Sequence, residues 1–98
     1  MTRVYLEKDG KTYTIDCKGH AEGSPEMCAA ISCLVYAVAG WTHNAKTVRH
    51  TERLTEGDVR LVFSGCEECE TVFDLATVGF LQLEKLDPER VHVDVQEI

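Results

Sequence analysis

With 98 residues the chain has room for one domain, 1–98, built round one hydrophobic core. Seventeen Asp and Glu against ten Lys and Arg leave a formal charge of −7. That balance argues against the basic stripe of a nucleic-acid-binding surface and suits a basic partner, whose approach a negative field assists.

The opening "MTRVYLEKDG" has no apolar stretch of the kind a secretion signal needs. Val4 and Leu6, then Tyr13, Ile15 and Cys17, alternate on either side of Asp9-Gly10. Alternation around Asp-Gly is a strong hairpin signal and predicts strands at about 2–8 and 11–18. "GHAEGSPE" then reads as a loop, with two glycines and a proline.

Ser24-Pro25-Glu26 predicts a helix start. Ser accepts from a first-turn N–H, Pro suits the first helical position, and Glu sits at the positive end of the dipole. The helix is expected to run to about Ala39, with Gly40 as its stop. Met27, Ile31, Leu34, Val38 and Trp41 form one stripe, and Ala29, Ala30, Cys33, Val35, Ala37 and Ala39 make the remaining faces small and apolar. Such a helix is covered on more than one side, and in so short a chain a second subunit would supply part of the cover. The apolar run from Met27 to Trp41 is shorter than the roughly 20 residues a membrane span needs. The expectation is a soluble, cytoplasmic protein without a membrane partner. Its five cysteines would then stay reduced and build no disulfide framework.

Val48, His50, Glu52 and Leu54 alternate weakly with polar residues, and "TEGD" turns the chain. Val59, Leu61 and Phe63 form the inner face of the next strand. "SGCEEC" leads into a second helix at about 69–86, with the stripe Val72, Phe73, Ala76, Phe80 and Leu83, ending before Pro88. Val91, Val93 and Val95 mark a last strand. The order β-β-α-β-β-α-β predicts an α+β layered domain, two helices packed on a mainly antiparallel sheet.

Cys28 falls in the first turn of the first helix, where the dipole favours the thiolate, the nucleophilic form. It also reads as an ordinary small residue of an Ala-rich helix. His20 follows the second strand and by itself reads as an exposed loop histidine. Together the two stand on rigid platforms of the kind that hold a nucleophile and its base. His43, His50 and His92 have no comparable setting. Cys66-x-x-Cys69 is half of a zinc site or a redox motif, but no second CxxC or HxxxH accompanies it. Glu67, Glu68 and Glu70 raise nearby thiol pKa values and read as a solvated helix start. No metal and no cofactor is expected.

Gly19-His20-Ala21 followed by Cys28-Ala29-Ala30-Ile31-Ser32 resembles the signature of the ribosomal-processing cysteine protease Prp family: Gly-His-Ala, a loop, then Cys-Ala-Ala-x-Ser. "GFLQLEKLDPERVHV", Gly79 to Val93, resembles that family's closing helix, Pro-Glu and final strand. The resemblance implies a homodimeric cysteine endopeptidase that trims an N-terminal extension from a basic large-subunit ribosomal protein precursor. It implies His20 as general base and Cys28 as nucleophile, supported by Ser32 and flanked by Gly19 and Ala21; Glu26, at the helix start, is the nearest acid and a further supporting residue. It also implies a flexible flap between His20 and Cys28. Here that loop is only "EGSPEM", shorter than the family's, and Pro25 stands where the family has an Asp. Two other readings of the residues stay open: a non-catalytic binding module of the same fold, and a metal or redox domain built on Cys66 and Cys69.

Overall fold

The computed structural model describes all 98 residues. In chain order the elements are β1 (Thr2–Asp9), β2 (Thr12–Lys18), α1 (Pro25–Asn44), β3 (Arg49–Thr55), β4 (Asp58–Ser64), α2 (Glu68–Leu86) and β5 (Val91–Glu97). The strands form one sheet in the order β3-β4-β2-β1-β5. Neighbours run antiparallel, except that β5 lies parallel to β1 with Val91 opposite Thr2 and Glu97 opposite Lys8. The expected β-β-α-β-β-α-β architecture, two helices on a mainly antiparallel sheet, is the one observed.

Period-two alternation places the core. Val4 and Leu6, Tyr13, Ile15 and Cys17, and Leu61 and Phe63 share one side of the sheet and are buried. Onto them pack Met27, Ile31, Val35, Val38 and Ala39 of α1 and Cys69, Phe73, Ala76 and Phe80 of α2, in one continuous cluster. Fully buried side chains such as Phe63, Phe80, Leu6 and Ile15 each contribute about 1.5–3 kcal/mol. The other side of the sheet carries a charged cross-strand row, Asp16, Arg60 and Arg53, with Arg60 Nη1 2.9 Å from Asp16 Oδ2.

Helix α1 departs from expectation at its far end. It passes through Gly40 and stops at Asn44, where the Ala45 N–H closes on the Trp41 carbonyl at 2.9 Å. Val38, Ala39 and Thr42 are all buried, so continuing the stripe gains more than a glycine stop would. The stripe is also rotated: Val35 and Ala39 point inward, while Leu34 and Trp41 flank the core half-buried. At 20 residues the helix has the length and composition of a membrane span, which the shorter apolar run did not suggest. Its inner stripe is nevertheless built into the core of the sheet. Ala29, Cys33, Tyr36 and Ala37 on its outer face are exposed in the single chain, Tyr36 by 60 %.

Strand β3 is an edge, paired only with β4. Its helix-facing positions are His50, Glu52 and Leu54, opposite Phe63, Leu61 and Val59.

Candidate active site: a cleft at the start of helix α1

Strand β2 ends at Lys18, and Gly19 then turns with φ +88°. The Gly19 N–H donates to the Gly57 carbonyl at 2.9 Å, which fastens the end of β2 to the β3–β4 turn. A Cβ on Gly19 would collide with the Met1 carbonyl, so the chain's first residue lies against this corner. The next residue, His20, is exposed and lays its imidazole over Gly57. Gly57 has φ +73°, and a Cβ there would stand 2.6 Å from His20 Nε2.

The chain then enters α1 through a built cap. Ser24 Oγ accepts from the Met27 N–H at 3.1 Å, and Pro25 takes the first helical position. The same geometry sets Cys28 one turn in, its N–H bonded to the Ser24 carbonyl. The Cys28 S–H donates to the Ala21 carbonyl at 3.6 Å. Ala21 is buried behind the pair, and Glu26 is exposed beside Ser24.

His20, Cys28, Ser32 and Gly19 all line one cleft of about 290 Å³. Cys28 and Ser32 come from successive turns of α1, His20 from the end of β2, and the opposite wall is the β3–β4 turn. No hydrogen bond joins His20 to Cys28. The S–H contact with Ala21 needs the thiol proton, so attack requires Sγ to leave that carbonyl and turn into the cleft.

The turn residues Glu56, Gly57 and Asp58, which the sequence marks only as a turn, form one rim of the cleft. The register that sets β4 beside β2 brings them there, and no local spacing announces it. Glu56 has no ion-pair partner. Hydrogen bonds from Lys18 and then Arg53 hold the Asp58 carboxyl below the usual carboxylate range, keeping the rim ionised.

The remaining cysteines are dispersed. Cys17 forms part of the cleft wall, and burial, helped by the Asp16 charge, pushes its thiol up to about 12. Cys33 is exposed on the outer face of α1. Cys66 and Cys69 open α2 beside Thr12 and Tyr13, at the other end of β2 from the cleft, with their Sγ atoms 3.5 Å apart. Burial raises the Cys69 thiol first; the Cys66 side chain adds to this and Glu68 adds least, so desolvation outweighs the acidic cluster. His43 and His50, which sequence left without a setting, meet in space with Glu52.

No family sequence model matches the chain, and no curated protein matches its sequence. Solved structures share its fold. SMU.848 of Streptococcus mutans superposes with a TM-score of 0.80 at 17% identity, over 100% of this chain and 99% of that one. Prp of Staphylococcus aureus, an essential ribosomal processing protease seen with a covalently linked product peptide, superposes at 0.78 and 12% identity, over 97% of this chain and 99% of its own. The same protease with a substrate peptide superposes at 0.71. The chain has the fold of Prp.

Proposed function

We propose that the protein is a Prp-like cysteine endopeptidase in which Cys28 is the nucleophile and His20 the general base. The observation that carries this is the convergence of His20 and Cys28 on one cleft, in a chain whose fold is that of a peptide-processing protease.

The reaction follows from the groups present. His20 takes the proton from Cys28 Sγ, and the thiolate attacks the scissile carbonyl carbon. The tetrahedral intermediate collapses, the C–N bond breaks, and the departing amine takes the proton back from His20. A thioester joins Cys28 to the N-terminal fragment. His20 then removes a proton from water, which attacks the thioester and frees the carboxylate and the thiol. In the free state no hydrogen bond joins the pair, so a bound peptide must draw the two together across the turn Ala21–Ser24, as catalytic contacts often tighten only with substrate.

The substrate follows from charge and family likeness: a basic large-subunit ribosomal protein precursor, trimmed of its N-terminal extension. Glu56 on the cleft rim, which has no ion-pair partner, and a net charge of −7 suit Lys- and Arg-rich peptide flanks. We place the protein in the cytoplasm, where such precursors are made, as a homodimer joined through the outer face of α1.

The test is cleavage of a precursor peptide by the purified chain. Cys28→Ala and Cys28→Ser should abolish turnover and His20→Ala nearly so, with circular dichroism unchanged, while Cys33→Ala retains activity. Iodoacetamide should alkylate Cys28 faster than Cys33, and His20→Ala should slow that labelling. The Cys28 S–H contact with Ala21 favours one competing reading, a binding module of the same fold. Peptide bound by the unmodified chain without turnover, with Cys28 no more reactive than Cys33, would decide for that reading.

A further inference from the structure

At the far end of α1 from the cleft, His43 in the last helical turn meets His50 and Glu52 of the edge strand β3. One ligand atom from each lies within 4.8 Å of the others. His43 Nε2 is 2.7 Å from Glu52 Oε1, and the two imidazoles meet edge-on with centroids 4.6 Å apart. We propose that these three side chains form a binding site for a Zn²⁺-class divalent ion, separate from the peptidase cleft.

Three observations carry the assignment. The donor set, two imidazoles and one carboxylate, matches zinc-class ions and not the all-oxygen shells of Mg²⁺ or Ca²⁺. Tetrahedral zinc with ligands at about 2.1 Å needs donor atoms about 3.4 Å apart, so the present separations require only side-chain adjustments. Three protein donors leave the fourth position to water. Lastly, His50 and Glu52 occupy the helix-facing side of β3, where the adjacent strand places Phe63 and Leu61. α1 brings His43 to them, and with His43 and Glu52 exposed and His50 half-buried an ion can reach the site from solvent. An inward charge can also serve to blunt an edge strand against pairing with another chain. That account has no use for His43 or for metal uptake, so the two are separable.

A bound ion would tie the last turn of α1 to an edge strand of the sheet. The site does not depend on the peptidase reading, and its test needs no substrate. The full chain, prepared without a polyhistidine tag, is titrated with Zn²⁺ alone by calorimetry. One equivalent should bind, and the melting temperature should rise with Zn²⁺ as expected for a ligand of the native state. His43→Ala, His50→Ala and Glu52→Gln should each weaken binding about tenfold or more, whereas Cys66→Ser/Cys69→Ser retains it. Co²⁺ should give a ligand-field spectrum without a thiolate charge-transfer band. The proposal fails if no stoichiometric ion binds at severalfold molar excess. It fails equally if binding survives in His43→Ala and Glu52→Gln or disappears in the double cysteine variant.

Discussion

An alanine at position 57 would place its Cβ 2.6 Å from His20 Nε2 and hold an L side chain at φ +73°. The backbone cost is about 1–2 kcal/mol, and the imidazole must move. Gly57→Ala should therefore lower peptide turnover at least tenfold. Gly10→Ala, at φ +59° with nothing within 4 Å of its Cβ, carries similar strain but should keep full turnover. Equal activity in the two variants, compared by kcat/KM at matched folded fraction, would detach Gly57 from His20. Cys17 gives a pH signature. Its buried thiol keeps its proton up to about 12, whereas the unfolded chain releases it near the ordinary 9.0. The unfolded state thus binds fewer protons in that window, and stability falls as pH rises from about 9 toward 12. Urea unfolding at pH 8 and pH 10 should show the fall, and Cys17→Ala should flatten it. His20 and Cys28 could be found from sequence because their motif is local. Gly57 could not, because its role depends on which strand β4 pairs with.

At the scale of elements, the helices and strands were legible wherever the apolar period was clean, and misread where one residue type overrode it. Gly40 signals a stop only if the chain adopts a left-handed turn there; buried Val38, Ala39 and Thr42 keep it helical instead. Because a Cβ at Gly40 would meet nothing within 4 Å, Gly40→Ala should stabilise the protein by about 0.5–1 kcal/mol. A lower urea midpoint for that variant would mean the helix needs glycine for a contact beyond the single chain. Strand β3 was legible only as weak alternation. Its His50 and Glu52 become interpretable once pairing with β4 assigns them to the helix-facing side and the extra turn of α1 brings His43 to them.

At the scale of the molecule, the outer face of α1 leaves Ala29, Cys33, Tyr36 and Ala37 open, with Tyr36 60 % exposed. Two such faces packed together would bury the apolar surface that one chain of this length cannot cover. Sedimentation at micromolar concentration should give the mass of two chains, and Tyr36→Glu should give one; a stable monomer of the unmodified chain removes the dimer. The same face explains why the helix looked apolar all round in sequence: periodicity reports that a surface is apolar and is silent on what covers it.

The parallel pairing of β5 with β1 sends the two chain ends to opposite poles. Met1 lies against Gly19 and Thr2 lines the cleft, while the Ile98 N–H donates to the Lys8 carbonyl at the far end of the sheet. The separation is on the order of 20 Å, the length of one strand. A purification handle or fluorescent reporter joined ahead of Met1 would emerge at the mouth of the cleft and compete with peptide for it. The same fusion placed after Ile98 would leave the mouth clear, so immobilisation for binding assays belongs at that end.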